Sequence, residues 1–142
     1  MKNNIVTIIN LKMNFMRKLF SLCMFVMLFT LAANAQAPEL KFENMVHDFD
    51  SIQENDGMVT TTFEFTNEGD APLIINKVSA SCGCTTPDWT REPIPAQGKG
   101  FVKVTYNPKG RPGPFAKSIT VRSNSSEHPV ILKVKGKVIR TT

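Results

Sequence analysis

Two cysteines one residue apart, in the run Ser81-Cys82-Gly83-Cys84-Thr85, are the residues of this chain best equipped for chemistry. At i and i+2, Cys82 and Cys84 could close a small disulfide, ligate a soft metal as thiolates, exchange disulfides as a dithiol, or stay inert thiols. Gly83 between them would permit a bend at positive φ without a Cβ clash. A bridge around about three residues removes only roughly 1.6 kcal/mol of unfolded-state entropy, against about 3 kcal/mol for a fifteen-residue loop, so global stapling is a poor reason for the pair. Shaping of a turn, redox exchange and metal ligation stay open. Cu(I) or Zn(II) would suit the thiolates, with a third ligand from His47, His128 or a methionine.

Other chemistry is thinly represented. His47 and His128 each sit beside turn residues, the setting of ordinary exposed or turn-bonded imidazoles. Met45 and Met58 are expected in the core or at its rim. Trp89 and Arg91 form a candidate recognition loop, with Trp89 alternatively covering one end of the fold. Asp48 has no second carboxylate placed by strand periodicity to face it, and no Gly-x-Ser-x-Gly elbow or phosphate cradle is present. These absences point to a protein that is not an enzyme and needs no cofactor. Asn124-Ser125-Ser126 fits the N-glycosylation pattern but reads more simply as a turn.

Residues 1–35 read as a signal peptide. Arg17 and Lys18 precede an apolar run from Leu19 to Leu31, and Ala33-Asn34-Ala35 supplies the small residues of a cleavage site. The run is shorter than the roughly twenty residues a spanning helix needs, so no membrane span is expected in a mature chain starting at Gln36. The long stretch before it suggests that translation starts at Met13 or Met16. Cys23 follows Leu22 where a lipid-modification signal would want a small residue, so lipidation is not expected. Export, to the periplasm or beyond the cell, would favour oxidation of Cys82 and Cys84.

Four of the 17 basic residues precede Gln36 while all 12 acidic ones follow it, which leaves 13 against 12 in residues 36–142. A sequence pI near 9.3 therefore says little about partners. No basic cluster interleaved with aromatics appears, so nucleic acid is not expected; a protein or cell-envelope partner is.

In residues 36–142 the apolar period is two almost throughout, which predicts an all-β domain. Expected strands cover Leu40–Val46, with a His47-Asp48-Phe49-Asp50 corner after it, then Val59–Thr66, Leu73–Ala80, Phe101–Tyr106, Phe115–Arg122 and Val130–Ile139. Val59, Thr61, Phe63 and Phe65 should face inward. Asn55-Asp56-Gly57 and Asn67-Glu68-Gly69-Asp70 read as turns, and the prolines between Thr86 and Gly100 as loop. These six stretches, at the spacing of a domain of about seven short strands, predict a two-sheet antiparallel β-sandwich.

The set His47-Asp48-Phe49, Phe63-Glu64-Phe65-Thr66-Asn67-Glu68-Gly69, Pro72-Leu73-Ile74-Ile75, Ser81-Cys82-Gly83-Cys84-Thr85, Tyr106-Asn107-Pro108 and Val121-Arg122-Ser123-Asn124 resembles the bacterial secreted domain of unknown function 1573, itself similar to Hydin-type immunoglobulin-like modules. The resemblance covers about Leu40 to Ile139 and implies an immunoglobulin-like sandwich without assigning an activity. The chain departs from it at Asp50, where the family commonly has glycine, and at Glu68, where it often has threonine. Asp50-Ser51-Ile52 also resembles a short O-glycosylation motif of some secreted bacterial proteins, which makes Ser51 a candidate acceptor. The expectation is a non-catalytic exported interaction or scaffolding module, with soft-metal binding or thiol-disulfide exchange through Cys82 and Cys84 as the alternatives.

Overall fold

The computed structural model describes residues 12–14, 16–18 and 36–140. The chain divides into two compact units, Met1–Ala35 and Gln36–Thr142. In the first, the described residues are helical; the apolar run, Cys23 and the Ala33-Asn34-Ala35 pattern lie outside the described residues. Among the described residues no helix is long and apolar enough to cross a membrane.

The second unit has eight strands: β1 Leu40–Phe42, β2 Val46–Gln53, β3 Val59–Asn67, β4 Ile75–Ala80, β5 Thr85–Trp89, β6 Lys99–Tyr106, β7 Gly113–Ser123 and β8 Val130–Ile139. They form two four-stranded sheets, ordered β1-β3-β6-β5 and β2-β8-β7-β4. The alternation in β3 sets its faces: Phe63 and Phe65 are buried, while Thr62 and Glu64 are exposed. Phe42, Phe63, Phe65, Val102 and Val104 of the first sheet meet Val78, Ile119, Val121, Leu132 and Val134 of the second in the main core. A smaller cluster of Ile52, Cys84, Tyr106 and Val138 fills one end.

The sandwich differs from the expected one in four places. The stretch expected as one strand ending at Val46 is two, β1 in the first sheet and β2 in the second, so His47-Asp48-Phe49-Asp50 lies inside a strand and is no corner. β2 pairs with β8 in parallel, so the sandwich is not wholly antiparallel. The register slips between Asp48 and Ser51, where Asp50 takes a φ of 53°. Aspartate tolerates this left-handed conformation, and its side-chain neighbour helps, since the Asp50 N–H donates to Asp48 Oδ1 at 2.9 Å.

The third difference is that the proline-rich segment begins with a strand, β5, paired to β6 from Thr85↔Tyr106 to Trp89↔Val102. Pro87 is accommodated because β5 is an edge strand, where a missing N–H breaks no ladder. Finally, Met45 and Met58 are exposed, at 51% and 67% relative accessibility, and not in the core. Each stands outside the strand alternation, just before β2 and β3.

Candidate functional site

The cysteine run carries the chain from one sheet to the other. β4, an edge of the second sheet, ends at Ala80 opposite Ile119; β5, an edge of the first, begins at Thr85 opposite Tyr106. Four residues make the crossing. Cys82 and Cys84 are joined by a disulfide with their Cα atoms 5.3 Å apart, against about 7 Å for an extended i, i+2 pair. Backbone bonds hold the turn on both sides: Ser81 N–H to Ser118 O at 2.9 Å, Thr85 N–H to Cys82 O at 3.2 Å and Asn107 N–H to Cys84 O at 2.9 Å. The Thr85 hydroxyl lies 3.6 Å from Cys82 Sγ and 3.8 Å from Cys84 Sγ.

Gly83 does not play the expected part. It is absent from the residues at positive φ, and a Cβ added there would meet nothing within 4 Å. The bend comes from the bridge and the backbone bonds, not from a left-handed glycine.

Beneath the turn, Cys84 is buried with Ile52, Tyr106 and Val138, while Cys82 is half-buried at the edge of that cluster. Tyr106 stacks on Phe115 at 4.1 Å between ring centroids. Gly136 makes room for this ring, since a Cβ there would stand 3.0 Å from two Phe115 ring carbons. Burial raises the Tyr106 hydroxyl above its ordinary pKa, partly opposed by the charge of Arg111. The bridge thus closes one end of a packed aromatic cluster.

The remaining candidates are dispersed. His47 lies on β2, at the opposite edge of its sheet from β4, three strand spacings or about 14 Å away. Its ring stands edge-on to Phe49 with centroids 4.5 Å apart. His128 is exposed in the turn after β7, on the order of 20 Å along that strand from Ser118. Among the described residues, no group of three or more His, Cys, Asp or Glu side chains is placed to hold a metal ion. Neither histidine can complete a thiolate site at the turn.

Trp89 and Arg91 lie at the far end of β5 from the cysteines, about 16 Å along the strand. Trp89 is half-buried against the main core, and the Arg91 guanidinium carbon sits 3.6 Å above its ring centroid. The indole Nε1 is buried without a hydrogen-bond partner. The ring covers that end of the sandwich, and the exposed Arg91 covers the ring. Ser51 is exposed on β2, opposite Lys137. Asn124 serves a turn, accepting from Ile74 N–H at 2.8 Å and donating to Pro72 O at 3.0 Å.

Two features escaped the sequence reading. One is Asn67, read there as a turn residue; it ends β3 with no exposed surface. The other is the outer face of the second sheet. Register places Lys133, Lys135 and Lys137 of β8, Arg122 of β7 and Lys77 of β4 on that face, all exposed. Register places one carboxylate there, Asp48, 3.0 Å from Lys135 Nζ. That hydrogen bond, then the Asp50 N–H, holds the Asp48 carboxyl below its ordinary pKa. A near-neutral total had hidden the segregation, although Lys-x-Lys-x-Lys in the last strand was a legible signal of it.

Two sheets around a shared core, with a bridged turn carrying the chain across at one edge, define a small β-sandwich domain. The chain belongs to DUF1573, a family of proteins of unknown function, whose profile matches residues 40–138. Among solved structures it is similar to a protein of unknown function from Porphyromonas gingivalis W83, with 18% identity, a TM-score of 0.63, and coverage of 77% of this chain and 50% of that one. It is also similar to the secreted serine protease VesC from Vibrio cholerae, with 12% identity, a TM-score of 0.51, and coverage of 76% of this chain and 24% of that one. The chain spans about half the length of the Porphyromonas gingivalis protein. These likenesses concern the fold alone. A comparison with curated proteins returned no match.

Proposed function

We propose that this chain is an exported, non-catalytic interaction module that meets its partner through the outer face of its second sheet. The observation that carries the reading is the charge of that face, five exposed cations against the one carboxylate of Asp48. Like charges gathered on one side repel one another and are favoured by a partner of opposite sign. Export rests on the basic, apolar and small-residue order of residues 17–35.

The cysteine bridge fits a supporting part in this reading, since it holds the crossing between sheets. A soft-metal role would require the bridge to open, because a thiolate and not a disulfide sulfur is the ligand. Thiol-disulfide exchange is the second reading, favoured by the half-buried position of Cys82 over the buried Cys84. An incoming thiolate would reach Cys82 first.

Intact mass of the protein from the exported fraction, taken with and without thiol alkylation, tests the reading against its rivals. The expected chain starts at Gln36, is two hydrogens lighter than the dithiol and takes up no alkylating agent before reduction. A chain keeping Met1 or Met16 would contradict cleavage after Ala35. Alkylation of both cysteines without reductant, together with stoichiometric copper or zinc, would contradict the bridged module.

A further inference from the structure

The cations of the second sheet share their face with exposed apolar side chains. Lys133, Lys135 and Lys137 alternate along β8 and so stand about 7 Å apart in a row. Their neighbours on β7, Ala116 and Ser118, are small and leave the row prominent. Toward the β7–β8 turn, where Arg122 and Lys77 lie, apolar side chains join the cations on this face. Val46, level with Lys133 on β2, is 53% exposed, and Ile131, two residues before Lys133, is 41% exposed. Ile74, beside Asn124 at the start of β4, is 39% exposed although Leu73 and Ile75 on either side are buried. The outward face of the first sheet differs, because Lys41, Lys99 and Lys103 each have a carboxylate within 4.0 Å, at Glu68, Glu43 and Asp88.

We propose that this face docks flat on an anionic lipid bilayer, the β8 lysines and Lys77 and Arg122 meeting headgroup phosphates while Val46, Ile131 and Ile74 enter the interface. The proposal rests on the interaction-module reading and names its partner. Lipid is favoured over a soluble polyanion because the face combines cations, of which Lys135 alone has a carboxylate within 4.0 Å, with apolar side chains at one end, which a charged polymer alone would leave in water. Asp48 neutralises Lys135 in part, so Lys133 and Lys137 carry most of the attraction.

The test is co-sedimentation of residues 36–142 with vesicles. This segment suffices, since all eight strands and both cores lie inside one compact unit. It is expected to bind vesicles of phosphatidylglycerol and phosphatidylethanolamine but not phosphatidylcholine vesicles, and to be released as salt rises. Replacing Lys133, Lys135 and Lys137 together with glutamate should weaken binding roughly tenfold or more. The matched triple Lys41→Glu, Lys99→Glu and Lys103→Glu should change it little. Equal binding to both vesicle types, equal loss in the two triples, or no vesicle binding by the wild type would overturn the proposal. Binding of an acidic polysaccharide in place of vesicles, lost in the β8 triple, would overturn the lipid while leaving the interaction module standing.

Discussion

Phe65→Ala should destabilise the sandwich by about 3 to 5 kcal/mol. The Phe65 side chain has no exposed surface, stands edge-on to Phe42 with centroids 5.3 Å apart, and lies over Gly100, where an added Cβ would strike its ring. Neighbours fitted this closely cannot collapse into the space a deleted ring leaves. The loss is a large part of the roughly 5 to 15 kcal/mol that holds a domain of this size. Denaturant melts of Phe65→Ala and Phe63→Ala check it. A midpoint unchanged in both would mean that the assignment of inner and outer faces in β3 is wrong.

Asn67→Ala is expected to cost roughly 3 kcal/mol or more, although it removes fewer atoms. Asn67 Oδ1 accepts from Glu39 N–H at 3.2 Å and Gly69 N–H at 3.1 Å. Its Nδ2 donates to Ala71 O at 2.8 Å, Ile94 O at 3.0 Å and Pro95 O at 3.2 Å. One amide thereby ties together the N-terminal segment, the β3–β4 turn and the β5–β6 connection. Alanine would strand partners in a place with little water. Asn67→Asp should not rescue it, since a carboxylate keeps the two acceptor bonds but faces three carbonyl oxygens. If Asn67→Asp melts like the wild type, the donor half of the network contributes nothing.

These two residues mark what the sequence could disclose. Phe63 and Phe65 were legible because strand burial follows a period of two, which needs no knowledge of partners. Asn67 was not, since Asn-Glu-Gly-Asp is also an ordinary turn and the carbonyls it serves lie up to 28 residues away. The same limit hid β5, whose Pro87 reads as loop until the strand is known to be an edge. It hid the division of the first expected strand as well, because the switch from sheet to sheet between Phe42 and Val46 leaves no periodic trace.

The candidate site was legible in part for the same reason. Adjacency along the chain was enough to bring Cys82 and Cys84 together as a pair. It could not show that Trp89 sits a strand's length away at the other end of β5, or that His47 and His128 stand apart from the sulfurs. The lysines of β8 were visible one by one, but their joint face with Arg122 and Lys77 exists only in the register of three strands.

The central claim, that the outer face of the second sheet is where this module meets its partner, is tested most directly by photo-crosslinking in cells. A benzophenone amino acid would replace Ala116, exposed on the outer face of β7, or Thr62, exposed on the outer face of β3. Adducts are expected from position 116 and none from position 62, with the mass of the adduct telling lipid from protein. Adducts from position 62 with none from 116, or none from either, would contradict it.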